Sequence, residues 1–175
     1  LPWGRTTVLE RLLETLSLGG MDRVFVVGRG DDDQLREAVE SLPTREVATS
    51  RAEIEFVGVL PAPPDMRCSI ENGLARIKQE SPGARDGWMV VPADHPLAKP
   101  ETVRTLVEAW RQRPEGILIP TISGRRGHPT LLGWPLAHDC RNLPPETGLN
   151  MLVRALANVV VEVPVDDPSI RCDLD

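Results

Sequence analysis

An uninterrupted apolar run, Trp88 to Val91, constrains this 175-residue chain most, because it ends in Pro92 and is soon followed by Asp94. Four consecutive apolar residues bounded by a turn are typical of a strand buried on both faces, as in a parallel sheet. A carboxylate just beyond the carboxyl end of such a strand lies where open α/β sheets bind ligands. It suits a hard cation such as Mg²⁺ and, through that cation, a phosphate. The same Asp94 could instead cap the following turn, and both interpretations remain open at this point.

Strand-like and helix-like patterns alternate along the whole sequence. Buried strands are predicted near residues 22–28, 53–60, 116–120 and 159–163, and helical spacing of apolar residues is found between them. Thr6 or Thr7 with Glu10 predicts a capping box at the start of the first helix, and the acidic run 31–33 predicts a capped second helix. This alternation predicts an α/β fold with a single doubly wound, mostly parallel sheet. Without repeats or linkers, residues 1–175 are expected to form one domain.

Composition excludes several classes of function. The formal net charge of −6 argues against a general nucleic-acid-binding protein, which would be basic. No apolar run is long enough to cross a membrane, and the first residues do not resemble a signal peptide. The three cysteines (Cys68, Cys140 and Cys172) are too far apart for a zinc motif. We therefore expect reduced thiols and a cytoplasmic location.

Three polar clusters follow predicted strands, so they are expected to meet at one edge of the sheet. They comprise Arg67, Ser69 and Asn72; then Asp94 and His95; then Arg125, Arg126, Gly127, His128 and Pro129. Asp173 and Asp175 add carboxylates at the end of the sequence. Carboxylates with arginines suit a metal–phosphate site, since guanidinium groups offer paired donors to phosphate oxygens. Ordinary alternatives remain: Ser69 as a helix N-cap, the arginines as exposed turn residues, and the last aspartates as a solvated chain end.

Five motifs occur in a fixed order along the sequence. They are L-P-W-G at 1–4, D-M-R-C-S-I-E-N-G-L at 65–74, V-V-P-A-D-H-P at 90–96, G-R-R-G-H-P-T at 124–130, and V-P-V-D-D-P at 163–168 followed by C-D-L-D at 172–175. Together they resemble the MobA-like NTP transferase domain family, and in particular its molybdenum cofactor cytidylyltransferase branch. The glycine-arginine-histidine-proline segment is the most specific of the five.

The resemblance implies a Rossmann-like fold of the nucleotide-diphospho-sugar transferase type. It implies transfer of a nucleoside monophosphate, CMP from CTP, onto molybdopterin or molybdenum cofactor, with release of pyrophosphate and no covalent protein intermediate. Asp94 and Asp175 would be the catalytic carboxylates that bind Mg²⁺. The implied nucleotide-binding residues are Arg67, Ser69 and Asn72, and the implied acceptor-binding residues are Arg125, Arg126, Gly127, His128 and Pro129. A molybdoenzyme or its chaperone is the implied protein partner.

The sequence departs from the family pattern most clearly at its beginning. The family's first strand and its phosphate-cradling loop, L-A-A-G-x-S-x-R-M-G-x-P-K, have no counterpart, and neither Lys78 nor Lys99 is placed to replace the loop lysine. We therefore expect a chain that lacks ~20–25 residues at its N-terminus. A groove of unpaired backbone groups is expected where the central strand would lie. Smaller departures are Ala93 for Gly, His95 for Gln, Arg67 and Cys68 for two serines, and Leu149-Asn150 for Ala-Arg.

Three functional hypotheses remain open at the level of sequence. The first is an NTP transferase of the molybdopterin cytidylyl type, favoured by the 124–130 segment. The second keeps the fold and changes the chemistry to a sugar phosphate acceptor or to guanylyl transfer to molybdopterin. The third is a non-catalytic nucleotide-binding regulatory module that has lost the phosphate loop.

Overall fold

The computed structural model describes residues 2–3, 6–42, 52–142, 144 and 147–174. The strands in these ranges are β1 (Pro2–Trp3), β2 (Thr6–Thr7), β3 (Arg23–Arg29), β4 (Glu53–Val59), β5 (Gly87–Val90), β6 (Ile117–Ile122), β7 (Arg125–Arg126), β8 (Thr130–Gly133) and β9 (Val160–Pro164). The helices are α1 (Val8–Leu18), α2 (Asp33–Glu40), α3 (Met66–Lys78), α4 (Pro100–Gln112), α5 (Leu136–Arg141) and α6 (Leu149–Ala155). Short 3₁₀ turns lie at Ala157–Val159 and Pro168–Arg171. The predicted α/β class is confirmed.

Local sequence signals explain where the first two helices begin. Thr7 is the N-cap of α1, and its hydroxyl accepts from the Glu10 amide at 3.2 Å while the Glu10 carboxylate accepts from the Thr7 amide at 2.7 Å. This is the predicted capping box. Asp32 caps α2 by accepting from the Leu35 amide at 2.9 Å, so the acidic run serves as a helix start, as predicted.

The described strands do not form one continuous sheet, in contrast to the prediction. Strands β3 and β4 pair in parallel as a separate two-stranded sheet, and β1 and β2 form a small antiparallel ribbon. The larger sheet contains β5, β8, β6, β7 and β9. Adjacent strands must lie about 4.8 Å apart to pair, and none of the described strands joins β3 to β5.

The larger sheet is also mixed rather than mostly parallel. Strand β9 is parallel to β6, whereas β8 is antiparallel to both β5 and β6. The short 123–129 connection explains this difference, because a tight turn can join only antiparallel neighbours and a parallel pair needs a long crossover. Since β5, β6 and β9 share one direction, the chain leaves all three at the same edge.

Helices cover both faces of the larger sheet. On one face a core cluster includes Leu74 of α3, Trp88 of β5 and Ile117 of β6. On the other face Leu106 of α4 packs with Leu118 of β6 in a second cluster. Helix α3 also contacts β3 and β4, and α1 contacts α4, so helices connect the two sheets that do not pair with each other.

Candidate active site

Three segments meet at the edge where the chain leaves β5, β6 and β9. We call residues 91–99 the Asp94 loop, residues 123–129 the arginine turn and residues 165–174 the C-terminal strap. The rings of His95 and His128 join the Asp94 loop to the arginine turn, with centroids 4.5 Å apart. The strap contacts both, since the Leu174 amide donates to the Asp94 carbonyl at 2.8 Å and the His128 amide donates to the Ile170 carbonyl at 2.8 Å. The predicted convergence of the second and third clusters is therefore present in the structure.

The Asp94 carboxylate points largely into solvent, with its side chain 59% exposed. Its Oδ1 lies 4.0 Å from Nε2 of His95. Within the described residues no backbone amide donates to this carboxylate, although the His95 amide closes a turn onto the Pro92 carbonyl at 3.1 Å. The Asp94 carboxylate therefore does not act as the cap of this turn, and it is accessible to a ligand.

Sequence analysis singled out His95 and His128 but did not predict that their rings lie against each other. Nδ1 of His95 and Nδ1 of His128 are both buried without a hydrogen-bond partner in the described part of the chain. Burial lowers the pKa of His128, the neighbouring His95 lowers it further, and the charge of Asp94 partly opposes both effects. The imidazole of His128 is thus neutral near pH 7. The available signal was the repeated His-Pro dipeptide, at 95–96 and 128–129, each just after a strand.

The arginine turn is held from two sides. Arg125 and Arg126 form β7 against the end of β6, and Nε of Arg126 donates to Glu162 Oε1 at 2.8 Å with both side chains about half exposed. Gly127 lies so close to the strap that a Cβ there would collide with the carbonyl of Ile170. Pro129 is almost fully buried and serves packing in this structure. Acceptor binding by this turn remains a prediction.

The first polar cluster has its own local partners on α3. Asp65 caps the helix by accepting from the Cys68 amide at 2.7 Å, a hydrogen bond that lowers the pKa of Asp65. Ser69 is therefore not the N-cap. Three further contacts of this cluster are local: the Ser69 hydroxyl donates to the Asp65 carbonyl at 3.2 Å, the side-chain NH₂ of Asn72 donates to the Cys68 carbonyl at 2.8 Å, and Arg67 pairs with Glu71 at 2.9 Å. None of these contacts joins the cluster to Asp94, so its part in nucleotide binding stays a prediction.

The exposed Asp94 carboxylate can supply one of several ligands to a divalent ion. No group of three or more His, Cys, Asp or Glu side chains in the described ranges could hold a metal by itself. Mg²⁺ is commonly bound by only one or two carboxylates, with waters and substrate phosphates completing its shell. Asp94 can supply one such ligand, whereas Asp175, the second predicted ligand, lies outside the described residues.

Comparisons with known proteins bear on the family and the fold of the chain. The family model for the MobA-like NTP transferase domain matches residues 1–159. No curated protein matches the chain with significant sequence similarity. Among the described helices, none has the length and apolar character needed to span a membrane.

Several solved structures share the fold at low sequence identity. A manganese complex of Rv0371c from Mycobacterium tuberculosis is 22% identical, with a TM-score of 0.72, covering 100% of this chain and 84% of that chain. A 4-diphosphocytidyl-2C-methyl-D-erythritol synthase is 18% identical, with a TM-score of 0.76, covering 100% of this chain and 87% of the other. A CMP:2-keto-3-deoxy-manno-octonic acid synthetase complexed with CTP is 13% identical, with a TM-score of 0.64 and coverages of 97% and 86%.

Proposed function

Because the chain belongs to the MobA-like NTP transferase domain family, we propose that it transfers CMP from CTP onto a phosphorylated acceptor, with molybdopterin or molybdenum cofactor as the favoured acceptor. One observation carries the proposal: the accessible Asp94 carboxylate, the arginine turn and the C-terminal strap meet at one sheet edge. An anionic donor and an anionic acceptor need cationic and metal-binding groups at one place. This edge brings such groups together.

The choice of base is supported by two of the similar structures. One bears a name that refers to a diphosphocytidyl product, and the other is a CMP-sugar synthetase complexed with CTP. The choice of acceptor is supported by the G-R-R-G-H-P segment, which is typical of the molybdenum cofactor branch. A molybdoenzyme or its chaperone would then be the natural recipient of the product.

The proposed reaction is a single displacement at phosphorus. A phosphate oxygen of the acceptor forms a bond to the α-phosphorus of CTP while the bond from that phosphorus to the oxygen bridging to the β-phosphate breaks, and pyrophosphate leaves. Mg²⁺, when bound, neutralises phosphate charge during this exchange. The chain's own task is to align the two substrates, which is the source of much of the rate gain in bimolecular reactions.

Each segment of the edge has a part in that alignment. Asp94, with Asp175, would hold the divalent ion. Arg125 and Arg126 would offer guanidinium donors to the acceptor phosphate, since both side chains are exposed. His128 is neutral near pH 7 because burial lowers its pKa, so in that state it contributes hydrogen bonding and shape rather than a positive charge. Arg67, Ser69 and Asn72 would contact the nucleotide from α3.

A sugar phosphate or a related sugar acid is the second candidate acceptor. The CMP:2-keto-3-deoxy-manno-octonic acid synthetase among the similar structures favours it. In this alternative Asp94 keeps its role and the arginine turn binds a different anion. Guanylyl transfer to molybdopterin differs only in the base.

Pyrophosphate release separates these possibilities. The purified protein is incubated with each NTP and Mg²⁺ or Mn²⁺, with molybdopterin, with a sugar phosphate or without acceptor. We expect release with CTP and molybdopterin together. Release with GTP and molybdopterin would support guanylyl transfer, and release with the sugar phosphate would support a sugar phosphate acceptor. Nucleotide binding without release under any combination would support the non-catalytic regulatory module.

A further inference from the structure

Asp167 is a buried carboxylate that the proposed chemistry does not use. Its side chain is 1% exposed. Oδ2 accepts from the Lys99 amide at 2.9 Å and from the Thr102 hydroxyl at 2.7 Å. Oδ1 accepts from the Ser169 amide at 3.1 Å and is in very short contact with the Ser169 hydroxyl. The two oxygens therefore bind two different segments: the strap itself and the end of the Asp94 loop with the first turn of α4.

A buried charge is tolerated only when its environment compensates for the lost hydration. Burial raises the pKa of Asp167, yet the hydrogen bonds just described together hold that pKa below its ordinary value. The carboxyl group is therefore ionised at neutral pH. An ionised acceptor makes stronger hydrogen bonds than a neutral one, so the charge of Asp167 strengthens its hydrogen bonds to both segments.

The partners of Asp167 lie at the start of α4, which has no cap of its own. Lys99 is the N-cap residue of α4, and its side chain makes no capping hydrogen bond. Asp167 supplies the missing carboxylate from a distant part of the chain, and negative charge is favourable at a helix N-terminus. The helix start thereby becomes the anchor point of the strap.

The anchored strap contacts the Asp94 loop on either side of its centre. The Leu174 amide donates to the Asp94 carbonyl at 2.8 Å, and the Ser169 hydroxyl lies 2.6 Å from the Leu97 carbonyl. With the bond from Asp167 to the Lys99 amide, the strap touches the loop at three positions. The backbone that carries the Asp94 carboxylate is therefore braced by the segment that Asp167 holds.

We propose that Asp167 is a positioning residue of the transferase site: it clamps the C-terminal strap to the start of α4 and so fixes the place where Asp94 presents its carboxylate to a divalent ion. The inference rests on the proposed function. Residues that orient metal ligands from behind influence metal affinity strongly, with losses of about 10–100-fold on mutation. Because Asp167 is only 1% exposed, it acts through the strap and not by direct contact with substrate.

Asp167→Asn tests the clamp. Asparagine has the same shape, but its NH₂ group cannot accept a hydrogen bond, so the donors that face this group lose their acceptor. We expect the divalent-ion concentration at half-maximal pyrophosphate release to rise about tenfold, while the KM for CTP at saturating metal stays within about twofold. Leu13→Ala in α1 is the matched control, because it removes a buried side chain away from the site. That control should lose stability and keep the metal dependence.

Hydrogen exchange gives a readout that needs no activity. The Leu174 amide, which donates to the Asp94 carbonyl, should exchange about tenfold faster in Asp167→Asn if the strap loosens. The Leu35 amide in α2 should exchange as in the parent protein. If Asp167→Asn does not fold, Ser169→Ala and Thr102→Val each remove one hydroxyl donor and should accelerate exchange at Leu174 to a smaller degree.

The outcomes separate the clamp from the function on which it rests. A parent protein that releases no pyrophosphate under any condition contradicts the proposed function, whereas faster exchange at Leu174 in the variant would still support the clamp. An active parent together with unchanged metal dependence and unchanged exchange in the variant overturns the clamp. Loss of activity in Leu13→Ala with the same metal shift would assign the effect to general destabilisation and would also overturn it.

Discussion

The rings of His95 and His128 lie with their centroids 4.5 Å apart and their planes inclined at 48°. The contact brings together two His-Pro dipeptides that follow different strands. It places two titratable rings beside the Asp94 carboxylate, whose Oδ1 is 4.0 Å from Nε2 of His95. Burial and the neighbouring His95 lower the pKa of His128, so this contact predicts a dependence of stability on pH.

Stability should fall as the pH is lowered, in part because of His128. Burial and then His95 lower the pKa of His128 below its ordinary value of 6.5. Between that folded pKa and 6.5 the unfolded chain binds more protons than the folded chain, so the free energy of unfolding decreases as the pH falls through this window. The contribution is fully present above it. Denaturant titrations of the parent and His128→Gln at pH 7.5 and 5.0 should show a smaller pH difference in the variant. His138→Gln, an exposed position outside the pair, is the matched control, and equal behaviour of the two variants would contradict the assignment.

Asp94→Asn should abolish most turnover without unfolding the protein. The side chain is 59% exposed, so little packing is lost. Turnover should fall by about two orders of magnitude or more, since a bound divalent ion supplies several kcal/mol of charge stabilisation. Pyrophosphate release and thermal unfolding measure the two effects separately. Asp33→Asn makes the same chemical change on exposed α2 and should leave turnover intact; unchanged turnover in Asp94→Asn would remove this residue from the metal role.

Gly127→Ala should be destabilising because of the strap rather than because of backbone conformation. A Cβ at Gly127 would lie 2.6 Å from Cγ1 of Ile170 and would also collide with the Ile170 carbonyl. We expect the free energy of unfolding to fall by about 1–3 kcal/mol. Gly148→Ala is the comparison, since a Cβ there meets nothing within 4 Å, and its effect should stay within about 0.5 kcal/mol. Similar losses in both variants would argue against a tight contact at Gly127.

Arg126 can be tested for two roles at once, because it already pairs with Glu162 at 2.8 Å. Both side chains are half exposed, so the pair should contribute less than about 1 kcal/mol to stability. If Arg126 binds the acceptor phosphate, Arg126→Gln should raise the acceptor KM by about tenfold or more. Glu162→Gln should leave that KM unchanged or lower it, since the guanidinium is then released for the acceptor. A purely structural pair would make the two variants behave alike in steady-state kinetics.

The local elements of the fold could be predicted because their causes lie within a few residues of each other. The Thr7–Glu10 capping box and the Asp32 cap are contacts between residues three apart, so the sequence carries both partners in one short pattern. The start of α3 was predicted less well. Asp65 rather than Ser69 is its cap, because several polar residues in that segment could compete for the same role.

The sequence predicted where the site lies, at the ends of particular strands, but it did not predict which side chains contact each other there. Once β5, β6 and β9 share a direction, the polar residues after them must reach one edge, which the order of motifs along the chain already indicated. The contacts described for Arg67, Ser69 and Asn72 lie within the first turns of α3, and none of these contacts reaches Asp94.

By itself the sequence determined the α/β alternation, the caps of α1 and α2, and the family. Only the tertiary structure decided which strands share a sheet, that His95 meets His128, and that Asp167 of the V-D-D-P motif is buried against the start of α4. The physical reason is the separation along the sequence between the residues that interact. Periodicity and capping are contacts between near neighbours along the chain, whereas the histidine pair and the clamp join residues far apart in sequence, whose meeting depends on how whole strands and helices pack.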